Sequence, residues 1–159
     1  MGFQVREAIL DDLEEIVELW RKLSRGQLSK DPYYKGSLEF NGGYHQLKQS
    51  IESKDCGIFV IEKEGKIEGF IEVWSKTASY QMEHDDCAYI VHCIFDNQTK
   101  GKESAIHMVA CLYRAAEKWA AASGKKYLTA DVFQHNKMVA LLLGRADIVP
   151  FKMRMVRKI

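Results

Sequence analysis

The chain has 159 residues and a mass of 18.3 kDa, with 47% hydrophobic and 28% charged residues, which is one domain's length and a globular rather than a disordered composition. Twenty-three basic residues against twenty-two acidic ones leave a formal charge of +1, so the basic field that a dedicated nucleic-acid binder needs is absent from the sequence. No apolar run approaches the roughly 20 residues of a membrane span and residues 1–7 carry no signal-peptide pattern, so the expectation is one cytoplasmic domain with neither a membrane nor a nucleic-acid partner.

Phe3 to Ala8 alternates as a short strand does. Ile9, Leu13, Ile16, Val17, Trp20 and Leu23 then recur at three- and four-residue steps, which predicts an amphipathic helix. Asp11, Asp12, Glu14 and Glu15 crowd its first turns and Arg21, Lys22 and Arg25 its last, the order that the helix dipole favours. From Gly26 to Gly43 the periodicity fails and turn residues cluster. A loop is expected there, either substrate-facing or a plain connection, followed by a shorter helix from about Tyr44 to Ser53.

Gly57 to Ile61 and Ile67 to Trp74 read as strands, joined through Glu64-Gly65 into an antiparallel hairpin. Thr77 to Asp86 is a polar loop. Cys87 to Phe95 is the most apolar strand and suits a central place in a sheet. A long helix with a wide apolar face is expected over Lys102 to Ser123, closed by Gly124. Tyr127 to Phe133 reads as a strand, Asn136 to Leu143 as a short helix ended by Gly144, and Ile148 to Val156 as a last strand. This order of elements predicts an α/β (α+β) domain, a mixed and mostly antiparallel sheet flanked by helices.

Cys56, Cys87, Cys93 and Cys111 form no C-x-x-C pair and are scattered as in a reduced protein. His84, Cys87 and His92 lie close in sequence, but their spacing fits no zinc pattern, and no metal is expected. The sequence also lacks G-x-x-x-x-G-K-[ST], G-x-S-x-G and H-E-x-x-H.

Nearly the whole chain resembles the GNAT family of acetyl-coenzyme A dependent N-acetyltransferases. Val5-Arg6-Glu7-Ala8 leading into Asp11-Asp12-Leu13 is similar to the family's opening strand and helix, Ile58 to Trp74 to its central hairpin, and Asp131-Val132-Phe133-Gln134-His135-Asn136 to its fifth strand and the Asn-led helix. The resemblance implies a GNAT-like acyl-CoA N-acyltransferase fold, acetyl-CoA as co-substrate, and direct attack by a small-molecule or peptide amine. It implies cofactor contacts from the fourth strand at Cys93, Ile94 and Phe95, with a backbone N–H there for the developing oxyanion, and from Asn136. The family's pyrophosphate loop, Q/R-x-x-G-x-G/A, aligns with Lys100-Gly101-Lys102-Glu103-Ser104-Ala105, or two residues back with Gln98 to Glu103. Glycine and a helix start suit phosphate because free N–H groups converge there. Two positions depart from the family's pattern. Glu103 replaces the central glycine of the first register, and Leu143 stands where many members carry a tyrosine acid.

His92 is the residue of the fourth strand whose charge changes near neutrality. By strict alternation it shares a face with Ile90 and Ile94, and it is either a hydrogen-bonded core histidine or the general base. Glu72 alternates with Phe70 and Trp74 and is a weaker base candidate or a substrate contact. Tyr33, Tyr34 and Glu83 lie in the two loops that flank the acceptor side in this family. Glu83, Asp85 and Asp86 would suit a cationic amine such as a polyamine, an aminoglycoside or a peptide N-terminus. A homodimer is compatible with the sequence without being specified by it. The rival reading is a non-catalytic relative that binds coenzyme A or a protein partner, and Glu103 and Leu143 are its support.

Overall fold

The computed structural model describes residues 2–30, 42–76, 86–96, 102–145 and 147–150. Strand β1 (Gln4–Glu7) leads through a 3-10 turn (Leu10–Asp12) into helix α1 (Leu13–Lys30), followed by α2 (Gly42–Glu52). The hairpin β2 (Cys56–Lys63) and β3 (Lys66–Trp74), then β4 (Cys87–Phe95), α3 (Lys102–Ala122), β5 (Tyr127–Ala130) and α4 (Lys137–Arg145) complete the described elements.

The five strands lie in chain order in one sheet, β1-β2-β3-β4-β5. The first three pairings are antiparallel and β4–β5 is parallel. The hairpin turn is Glu64-Gly65, with φ of 54° and 78°. Two successive left-handed residues match the twist of the flanking strands, and glycine takes the second without cost.

Each face of the sheet carries its own core. Leu13, Ile16 and Val17 of α1 and Leu47 of α2 pack on Ile58, Val60, Phe70 and Ile94. On the other face Met108, Leu112 and Ala116 of α3 pack on Ile61, Ile71, Val73, Ala88 and Ile90. Each large apolar side chain so buried contributes about 1.5–3 kcal/mol. The two helices of the first face approach closely at Gly43, where a Cβ would come within 2.7 Å of the Trp20 ring. At the start of α1, Asp12 accepts the Ile9 N–H at 2.8 Å and the Arg6 guanidinium at 2.7 and 2.9 Å.

Several boundaries differ from the sequence expectation. α1 runs through Gly26 to Lys30, where the buried Gln27 is held by His135 at 2.8 Å, so the helix carries the cost of one interior glycine. β5 ends at Ala130, and Asp131 to Phe133 is irregular. α4 passes Gly144, and its end is closed by Asp147 at φ 58°, with Asp147 N–H donating to the Gly144 carbonyl and Ile148 N–H to that of Leu143. That is a Schellman closure with aspartate in the glycine position. Ile148 to Pro150 is not a strand, and the rest of the last predicted strand lies outside the described residues. Gly124 caps α3 as expected, with φ 74°.

Candidate active site

The site begins with a defect in β4. This strand pairs with β3 from Tyr89 to Phe95, but with β5 only from Cys87 to Ile90. Beyond Ile90, residues 91–95 have no strand on the β5 side among the described residues. At the same point the β3 register slips. Glu72 opposes His92 while Val73 opposes Ile90, so Val91 is an extra residue. Such a bulge bends the strand and re-aims the side chains that follow.

The slip reverses the alternation. Ala88 and Ile90 belong to the core under α3, and so do Cys93 and Phe95 beyond the bulge. Ile94 instead joins the core under α1 and α2. His92 follows Ile94, with its ring 6.3 Å from that of Phe70 and inclined at 60°. It therefore shares a face with Ile94 but not with Ile90, which corrects the strict alternation read from the sequence.

On that face His92 meets Glu72. Its Nδ1 lies 2.6 Å from Glu72 Oε2. Glu72 Oε1 accepts the Ser50 hydroxyl of α2 at 2.6 Å and the Trp74 indole N–H at 2.8 Å. The Glu72 side chain is 0% exposed and that of His92 is 18% exposed. Burial alone pushes the Glu72 carboxyl up. The hydrogen bond and charge of His92, then Ser50 and Trp74, more than offset it and hold the carboxyl below its usual range. No other hydrogen-bond partner of the imidazole is found among the described residues. Sequence reasoning missed Ser50 and Trp74. Trp74 carries a signal, two residues past Glu72 on the same strand face, whereas Ser50 carries none beyond its place on a helix.

Burial pushes the Cys93 thiol up to about 12, so it is not a thiolate nucleophile near neutrality. Ile94 is buried, and Phe95 packs toward α3. Lys102, Glu103, Ser104 and Ala105 form the first turn of α3, with Ala105 buried against the sheet. Asn136 precedes α4, and its Oδ1 accepts the Val139 N–H at a long 3.4 Å. Leu143 is half-buried in α4. His135 Nε2 lies 2.8 Å from Oε1 of the buried Gln27, which ties the end of α1 to the β5–α4 connection. Asp86 is engaged by Lys126 at 2.7 Å, so it does not stand free for an acceptor. Tyr33, Tyr34, Glu83, Asp85, Gln98, Lys100 and Gly101 lie outside the described residues.

Among the described residues no group of three or more His, Cys, Asp or Glu side chains is placed to hold a metal, and the four cysteines are free thiols. No helix there is long and apolar enough to cross a membrane.

No protein-family model matches the chain, and no curated protein matches it. Solved structures do. A mutant of the BH1408 protein from Bacillus halodurans superposes with a TM-score of 0.81 at 16% identity, over 98% of this chain and 99% of that one. A candidate acetyl transferase from Pyrococcus furiosus gives 0.71 at 18% identity, over 99% and 100%. The aminoglycoside acetyltransferase AAC(6')-Iy, in complex with a bisubstrate analogue of coenzyme A and acetylneamine, gives 0.67 at 12% identity, over 99% and 97%. At these identities the likeness shows the fold, and the fold is the GNAT-like acyltransferase fold, a mixed five-stranded sheet flanked by helices.

Proposed function

We propose, from the premise of a GNAT-like acyltransferase fold, that the protein transfers an acetyl group from acetyl-CoA to a primary amine by direct attack in a ternary complex. The observation that carries this reading is the juxtaposition at Val91. The pairing of β4 with β5 stops at Ile90, where β5 ends, and the bulge at the next residue turns His92 toward the α1–α2 face. An unpaired strand edge suits an extended amide-bearing chain such as pantetheine, which completes the ladder by main-chain hydrogen bonds.

Acetyl-CoA would supply a thioester carbonyl open to attack by an amine. The backbone of Cys93 to Phe95 would hold it and turn an N–H toward the carbonyl oxygen. Lys100 and Gly101, together with Lys102, Glu103, Ser104 and Ala105 of the first turn of α3, would meet the pyrophosphate, and Asn136 would add a hydrogen bond. His92 would take the proton of the attacking amine. Tyr33, Tyr34 and Glu83 would contact the acceptor. Leu143 offers no proton to the departing thiolate. A thiol of pKa about 8.5, by analogy with cysteine, leaves without that help.

Thermal unfolding with and without acetyl-CoA tests the binding half of the reading. Ligand at a hundred times Kd adds about 2.7 kcal/mol and raises Tm by several degrees. An amine screen on the same protein tests transfer. No shift at millimolar acetyl-CoA contradicts the reading. A shift without turnover of any amine favours the second one, a CoA-binding module without catalysis, which Glu103 and Leu143 support.

A further inference from the structure

Glu72 cannot touch a substrate itself. It is enclosed by the sheet and α2, and its carboxylate oxygens face three protein groups. One of the three, the Trp74 indole, can only donate. It shares Oε1 with the Ser50 hydroxyl, which leaves Oε2 for His92 alone among the described residues. With Ser50 and Trp74 donating to Oε1 and the carboxyl held below its usual range, Glu72 is a carboxylate near neutrality, and a carboxylate asks Nδ1 of His92 to donate as well. A neutral imidazole that donates through Nδ1 holds its lone pair at Nε2. The His92 ring is partly exposed, while Glu72 is fully enclosed.

The geometry points to Glu72 as a positioning residue: it fixes neutral His92 in the Nδ1–H form, with Ser50 and Trp74 anchoring the carboxylate, so that Nε2 takes the acceptor's proton. The catalytic part of this rests on the acetyl-transfer reading above. The placement rests on the cross-strand pair itself, since Glu72 and His92 face one another in register with Val91 left out of the ladder.

The experiment is 15N NMR of the histidine rings in wild-type protein and in Glu72→Gln, beside steady-state kinetics with acetyl-CoA and an accepted amine. The wild type carries the proton on Nδ1 of neutral His92. Glutamine can turn its amide N–H toward Nδ1, so Glu72→Gln populates the Nε2–H form. kcat then falls about a hundred- to ten-thousand-fold, while KM for acetyl-CoA changes less than about twofold. Glu72→Asp recovers part of the lost kcat. Should Glu72→Gln fail to fold, Trp74→Phe and Ser50→Ala each remove one anchor and are expected to lower kcat by smaller factors in the same direction. An Nε2–H ring in the wild type overturns the proposal even in an active enzyme. So does a Glu72→Gln protein with unchanged tautomer and kcat. A wild type with Nδ1–H that acetylates no amine overturns the acetyl-transfer reading instead, so the two failures are separable.

Discussion

The two halves of β4 differ in their neighbours and in their burial. From Cys87 to Ile90 the strand pairs with β5, and from Tyr89 with β3 as well, and three of its four residues are buried. From Val91 to Phe95 it keeps β3 on one side and has no strand on the other among the described residues, and only Ile94 is buried. The first half is structural, because its backbone groups are satisfied by the sheet. The second has no strand on its β5 side among the described residues and carries a partly exposed imidazole. A single inserted residue, Val91, separates the two.

Removal of His92 is the most drastic way to break this comparison. His92→Leu leaves the buried Glu72 carboxylate without its 2.6 Å partner. We expect a loss of about 3 kcal/mol or more in urea denaturation. Stability within about 1 kcal/mol of wild type would show that the pair does not hold the second half of β4. Deletion of the unpaired Val91, by contrast, keeps Glu72 opposite His92 and the imidazole on the same face.

Truncation at the two sides of the bulge sharpens the contrast. Ile90→Ala empties a packed position and is expected to cost about 2–5 kcal/mol. Val91→Ala, at a half-buried position, is expected to cost less than about 1.5 kcal/mol. Equal costs in chemical denaturation would mean that both halves are equally core.

Acid probes the same boundary through Glu72. Its folded carboxyl lies below the unfolded value of about 4.3. The unfolded chain therefore binds more protons in acid, so this contribution to stability is present above about pH 4.3 and is lost as pH falls through the folded value. Relative to wild type, Glu72→Gln should lose less stability between pH 5 and pH 3. Asp12, held low first by its hydrogen bond from Arg6, shares that acid window at the far edge of the sheet, so Asp12→Asn is the control that separates a site effect from a general one.

The smallest effect concerns the tie between α1 and the β5–α4 connection. Gln27→Ala removes the His135 partner at 2.8 Å, and a loss of about 0.5–1.5 kcal/mol is expected in thermal unfolding. No change would place that contact outside the stabilising network.

The sequence made the scaffold legible where the physics is local. Glu64-Gly65 announces the hairpin, Gly124 announces the end of α3, and the helical stripe of Ile16, Val17 and Leu23 announces α1. It was misleading where tertiary contacts decide. Gly26 and Gly144 look like helix ends, yet α1 passes the first, with Gln27 bonded to His135 beyond it, and Asp147 takes the left-handed turn after the second. The site was half legible. His92 and Glu72 stood out as ionisable residues in apolar strands, but the run from Cys87 to Phe95 has too little polar alternation to betray a bulge. The face of His92, and hence its meeting with Glu72, could not be read from it. Ser50 comes from a helix 22 positions away, with nothing in its neighbourhood to link it to a carboxylate.

The most direct measurement is amide hydrogen exchange along β4 with and without acetyl-CoA. The account predicts added protection at residues 91–95, in the amides that face β5, and none at Cys87 to Ile90, whose partners are already in place. Protection spread evenly along the strand, or absent from residues 91–95 at saturating acetyl-CoA, would contradict the claim that this half of β4 receives the acyl donor.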